Sequence, residues 1–175
     1  MIDNGQLILT EYEQIKQEQR ARIGFRDNLI YATFGVMAAV IGSTLPRGGH
    51  AEMLLLLPPL SVILGWTYLV NDEKISAVGR YIRDELVPRL EQLTSERLTV
   101  FGWESTHRRD AHRRSRKRIQ LAIDLLTFCA APLGALVVYW LLGPLRWPLL
   151  LVSAAETAMV AGLAFQIVRY ADLEQ

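Results

Sequence analysis

The chain of 175 residues holds a single cysteine, Cys129, so neither an internal disulfide nor a paired-cysteine metal site can form. It has three histidines. His107 and Asp110 lie three apart and can share a helix face, but His112 falls elsewhere, and His50 sits in a "PRGGH" loop with nothing to activate it. No glycine-rich loop leads into a lysine, and no H-E-x-x-H occurs. These absences remove the usual marks of nucleotide and metal chemistry, so neither enzymatic activity nor a cofactor is expected. An excess of one charge sign is missing too: 19 Lys and Arg stand against 18 Asp and Glu, so overall charge selects no partner. Cys129 lies inside an apolar run and reads as a small core residue.

What the chain does have is segregation. Apolar residues make up 51%, charged ones 21%, and mean hydropathy is +0.18. Residues 28–45, "NLIYATFGVMAAVIGSTL", carry no charge; 51–71 carry only Glu52 at the edge, 119–142 only Asp124, and 147–168 only Glu156. Each run is close to the ~17–25 residues a helix needs to cross a bilayer, the first being nearest the short limit. Period-2 alternation is absent, and a lone strand cannot satisfy its backbone in hydrocarbon, so helices follow.

The expected fold is all-α: a polytopic integral membrane protein with four transmembrane helices in two hairpins, extended by amphipathic cytoplasmic helices. Residues 1–27 form a cytoplasmic amphipathic helix and 28–71 the first transmembrane hairpin. Residues 72–118 form a cytoplasmic helical segment ending in a basic juxtamembrane run, 119–168 the second hairpin, and 169–175 a cytoplasmic tail. Glu11, Glu13, Glu18 and Asp27 precede the first run, which is wrong for a cleaved leader, so that run is expected to stay in the protein.

Orientation follows from the basic residues. Seventeen Lys and Arg lie before the first run, between the second and third, or after the fourth; only Arg47 and Arg146 occupy the short hairpin loops. Both termini and the middle segment are therefore expected on the cytoplasmic side of a cell membrane, plasma or inner. Tyr31, Trp66, Tyr68 and Tyr170 are expected at the inner interface, and Tyr139, Trp140 and Trp147 at the outer one.

Arg108, Arg109, Arg113, Arg114, Arg116, Lys117 and Arg118 crowd against the third apolar run. There, anionic lipid attracts each cation by roughly 1 kcal/mol, and lipid phosphate is the expected contact. Nucleic acid is disfavoured, because stacking residues do not interleave with the charge. Asp124, about a turn inside, suits an interfacial ion pair with Arg116, Lys117 or Arg118.

Two segments are striped rather than apolar throughout. From Asp72 onward, Ile75, Val78, Ile82, Leu86, Leu90 and Leu93 recur at helical spacing, and nothing between Trp66 and Ile75 breaks a helix. Pro88 is expected to kink this extension or end it early. Ile8, Tyr12, Ile15 and Ile23 make a similar stripe, interrupted by Gln19, on a helix that can run into the first apolar run with Gly24 as its weakest point. Such stripes need a partner: each other, or a second copy. In "TVFGWEST", Gly102 allows a turn and Ser105 or Thr106 can cap a following helix.

Glu156 lies mid-run, where an acid costs about 2.5–3.5 kcal/mol on the insertion scale, so it must face protein or water. Pro132 frees the Phe128 carbonyl, to which Glu156 could donate; Pro58 and Pro59 free further carbonyls. Ala154, Ala158, Ala161 and Gly162 form a small-residue stripe nearly opposite Glu156, suited to close helix packing. Protein on both faces implies a homo-oligomer. The expected function is therefore non-enzymatic: assembly between helices and cytoplasmic helical contacts with itself or with an unknown protein partner. One alternative is an oligomeric channel or membrane-permeabilising effector with Glu156 lining the path. Another is a membrane sensor taking a phosphorylated ligand on the 108–118 basic run.

Overall fold

The computed structural model describes residues 4–44, 50–93, 113–144 and 146–171, and every element among them is helical. Helix α1 runs unbroken through Asn4–Thr44. No proline interrupts it, and Gly24 has open space where a side chain would sit, so the weakest point costs helix propensity without breaking the hydrogen-bond ladder. A 3-10 turn, Ala51–Leu56, leads into α2, Leu57–Tyr81. A π segment at Ile82–Leu86 follows, and then α3, Val87–Leu93. Beyond the undescribed stretch come α4, Arg113–Leu125, a second π segment at Leu126–Ala130, and α5, Ala131–Leu142. A short turn then starts α6, Trp147–Tyr170, with proline in its first turn, where a missing N–H costs least.

At Pro88 the turn ahead of the proline is widened, and helical backbone continues to Leu93. The residue before the proline, Val87, donates its N–H to the Ile82 carbonyl, five residues back. Ala131, before Pro132, does the same to Leu126. A proline ring clashes with the carbonyl four residues back, and widening one turn to the π pattern moves that carbonyl aside while the helix goes on. Pro58 and Pro59 are also not mid-helix: they are the second and third residues of α2, entered from the 3-10 turn, so they disturb no α-helical ladder.

Three helical stretches are long and apolar enough to cross a membrane: Ala51–Leu90, Ser115–Leu142 and Trp147–Tyr170. The described apolar part of α1 ends at Thr44 and is not among them.

The chain forms two compact units: Met1–Asp27 with Val70–Arg114, and Asn28–Leu69 with Ser115–Gln175. In the first, the two striped helices partner each other. Tyr81 donates its hydroxyl to the Glu11 carboxylate at 2.6 Å, and Gln19 donates to the Ile75 carbonyl at 3.3 Å. Ile82 and Leu86 of the second stripe are wholly buried.

The second unit has two apolar clusters. One joins Leu29 of α1, Tyr68 of α2, Phe128 and Cys129 of the π segment, and Val160, Leu163 and Ile167 of α6. The other joins Met37, Leu54, Leu55, Leu57, Ala135, Leu136 and Tyr139. Gly65 lets helices approach closely: a Cβ there would lie 2.8 Å from Leu163 Cδ2 and 3.0 Å from Phe128. Two of the aromatics expected at interfaces, Tyr139 and Tyr68, are packed within these clusters. Tyr139 is fully buried because its hydroxyl donates to the Pro144 carbonyl at 2.9 Å, folding the ring under the turn at Gly143. Tyr68 is buried against Phe128, ring centroids 5.2 Å apart, and its hydroxyl accepts from Gln120.

Candidate functional site

Glu156 is the residue for which the packing provides least. It is 5% exposed, the one carboxylate among the buried residues described, and its Oε2 has no hydrogen-bond partner. The expected bond to the Phe128 carbonyl is not made. Ahead of Pro132 the turn widens, the Ala131 N–H bonding to the Leu126 carbonyl. The hydroxyls beside Glu156 on α6 are already committed to the backbone: Ser153 donates to the Leu150 carbonyl at 3.0 Å and Thr157 to the Ser153 carbonyl at 2.8 Å. Thr33, a buried hydroxyl on α1, donates to the Leu29 carbonyl at 2.7 Å.

The opposite face of α6 is open. Ala154, Ala158, Ala161 and Gly162 are all exposed, and a Cβ on Gly162 would meet nothing within 4 Å. Glu156 points into the unit and the small stripe out of it, as 100° per residue requires. Beside the stripe, a shallow groove is lined by Trp140, Leu150, Ser153, Ala154 and Thr157. Trp140 closes one wall by donating its indole N–H to Ser153 Oγ at 3.0 Å.

Arg108 and Arg109 lie outside the described residues, as do His107, Asp110, His112 and the "TVFGWEST" segment. Arg113 and Arg114 open α4, Arg116 and Arg118 are exposed, and Lys117 is half-buried. Asp124 accepts from Gln120 at 2.9 Å, and Gln120 also donates to Tyr68 at 2.8 Å, tying α4 to α2.

The first unit holds a polar clamp that the hydropathy pattern did not reveal. Buried Asn71 donates to the Arg22 carbonyl at 2.6 Å, and Arg22 donates back to Asn71 Oδ1 at 3.4 Å. One turn along α1, Arg26 pairs with Asp72 at 2.7 Å. The available sequence signal is an uncharged amide at the end of an apolar run, where a solvated position would more often carry charge. Among the described residues no group of three or more His, Cys, Asp or Glu could hold a metal ion.

The chain matches no family model, no curated protein and no solved structure in comparisons with each.

Proposed function

We propose that this is a non-enzymatic integral membrane protein of the cell membrane, plasma or inner, spanning the bilayer four times with both termini cytoplasmic. It works by assembly. Copies associate through the small-residue face of α6, and the striped helices of the first unit contact one another or a protein partner. The basic run at the start of α4 rests on anionic lipid.

The apolar exterior of the second unit, around a core that also takes in polar groups, is the observation that carries this reading. Its outward side chains are large and apolar: Ile63, Leu126, Leu142, Phe165 and Val168 are all exposed, Leu142 at 77%. Its buried positions include Thr33, Ser61, Thr127, Ser153 and Glu156. Water would drive the reverse arrangement, at about 25 cal/mol per Å² of exposed apolar surface. In hydrocarbon, apolar surface carries no such penalty, and polar groups gain by turning inward. The apolar half of α1 counts as the fourth span because it carries no charge and supplies Leu29 and Met37 to the same two clusters. Glu156 turned into its own unit weighs against a pore shared between copies.

The test is membrane fractionation with alkaline extraction, followed by mass measurement of the protein in lipid nanodiscs. The expected result is retention in the extracted membrane and a mass of two or more chains. Release into the soluble fraction would overturn the membrane reading, and monomer at every concentration would overturn assembly.

A further inference from the structure

We propose that Glu156 is an occluded binding site for a small monovalent cation, a proton or a sodium ion, inside the second unit. The inference requires the second unit to be folded in a membrane-like environment and is independent of whether copies assemble. It rests on what surrounds the carboxyl.

No Lys, Arg or His is among the buried residues described. On α6 itself the nearest cations are Arg146 and Arg169, both exposed. They stand ten and thirteen positions away in the sequence, about 15 and 20 Å along a helix. The elements packed against α6 bring no counter-charge either. From α1 comes apolar Leu29; from α2, Tyr68, whose hydroxyl accepts from Gln120; from the π segment, Phe128 and the thiol of Cys129. Tyr139 of α5 has given its proton to the Pro144 carbonyl, and Asp124 has the same charge sign as Glu156. At the far end of the unit, Glu52 is also acidic and lies 3.9 Å from the exposed His50.

The hydroxyls point the same way. Ser153 and Thr157 on α6 and Thr33 on α1 each direct their O–H at a backbone carbonyl, and Ser153 Oγ also accepts from Trp140. A bare carboxylate can only accept, and no described donor is directed at its Oε2. A proton on Oε2 turns the carboxyl into a donor; a sodium ion can take both the carboxylate and neighbouring oxygens as ligands. Either resolves the one unpartnered buried side-chain oxygen among the described residues. Lipid offers neither ion, so exchange has to proceed through the protein, and the group acts as a store that fills and empties.

The experiment is infrared titration of the full-length protein in liposomes, with the side-chain carboxyl of glutamate labelled with carbon-13. Wild type is compared with Glu156→Gln in sodium-free choline buffer and in sodium buffer. The expected result is a single acid-carbonyl band in the difference between wild type and Glu156→Gln, converting to a carboxylate band as pH rises. The acid fraction should fall about tenfold per pH unit above the midpoint. If sodium shifts the conversion to lower pH, both ions use the site; if it does not, the site takes protons alone. An acid band that stays unchanged at every pH would overturn the proposal, because it describes a fixed hydrogen-bonding group. So would a carboxylate band at every pH in choline buffer. Should Glu156→Gln fail to fold, Glu156→Asp, whose unlabelled carboxyl drops out of the glutamate spectrum, supplies the same difference. Failure here leaves fractionation and mass untouched, so the two readings fail separately.

Discussion

Asn71 of α2 and the backbone of α1 at Arg22 are joined at both ends of the amide: Nδ2 donates to the Arg22 carbonyl at 2.6 Å, and Oδ1 accepts from the Arg22 guanidinium at 3.4 Å. Both striped helices leave their apolar runs near this point. An amide that must align with one particular carbonyl sets their register in a way that interchangeable aliphatic contacts do not.

Asn71→Ala should therefore cost about 1 kcal/mol, the net worth of a hydrogen bond, with more if a buried polar group is left unpaired. Asp72→Asn should cost less, because the Arg26–Asp72 pair is partly exposed and exposed pairs contribute about 0–1 kcal/mol. Denaturant unfolding in detergent would rank the two, and only the Asp72→Asn effect should shrink with added salt.

Tyr81 gives a pH signature. Its hydrogen bond to Glu11, helped by partial burial and by the Glu11 charge, raises the phenol above its ordinary 10.0. A raised value means that the folded chain holds this proton more tightly than the unfolded chain does. The contribution to stability is complete below the ordinary value and is lost as pH rises through the folded one. Ultraviolet titration should show one tyrosinate forming later than an ordinary tyrosine, and Glu11→Gln should bring it back towards 10.0. An unshifted titration in wild type would show that the contact does not persist in solution.

Two glycines should respond in opposite directions. Gly65→Ala forces a methyl to 2.8 Å from Leu163 and 3.0 Å from Phe128, and overpacking of this kind costs about 1–3 kcal/mol. Gly24→Ala meets nothing within 4 Å in the interior of a helix and should stabilise by about 0.5–1 kcal/mol. Melting temperatures in one detergent suffice to check the signs.

The exposed face of α6 separates folding from association. Gly162→Leu enters open space, so the monomer's helicity and melting should hold. Close helix approach at that face should fail, weakening association by about tenfold, in line with ~1–2 kcal/mol per membrane helix contact. Sedimentation in detergent reads both quantities. Unaltered association would remove Gly162 from the interface.

Much of the architecture could be read directly from the residues, for reasons visible in particular elements. Helix type followed from apolar runs too long and too unbroken for strands. The continuity of α1 through Gly24, and of α2 beyond Trp66, followed from the absence of any residue that would stop them. The widened turns at Ile82–Leu86 and Leu126–Ala130 were not legible, because whether the turn before a proline widens depends on its surroundings. Tyr139 and Tyr68 were assigned to interfaces because an aromatic near the end of an apolar run usually lies there. Where each hydroxyl finds its partner is a matter of neighbouring helices. Of the candidate site, Glu156 stood out as an acid in an apolar run, and its opposition to the alanine stripe followed from helical geometry alone. The clamp at Asn71 and the tie at Gln120 stayed hidden, because an uncharged amide looks alike whether it is solvated or buried.

Residue order alone settled which stretches are helical, which shun water and which faces of α6 differ in character, since those depend on composition and on 3.6 residues per turn. Tertiary structure alone decided which stripe meets which, where Gly65 must stay bare, and that the inward face of α6 leaves Glu156 Oε2 without a donor. Those are facts about distances between chain-remote atoms, and no local rule of sequence contains them.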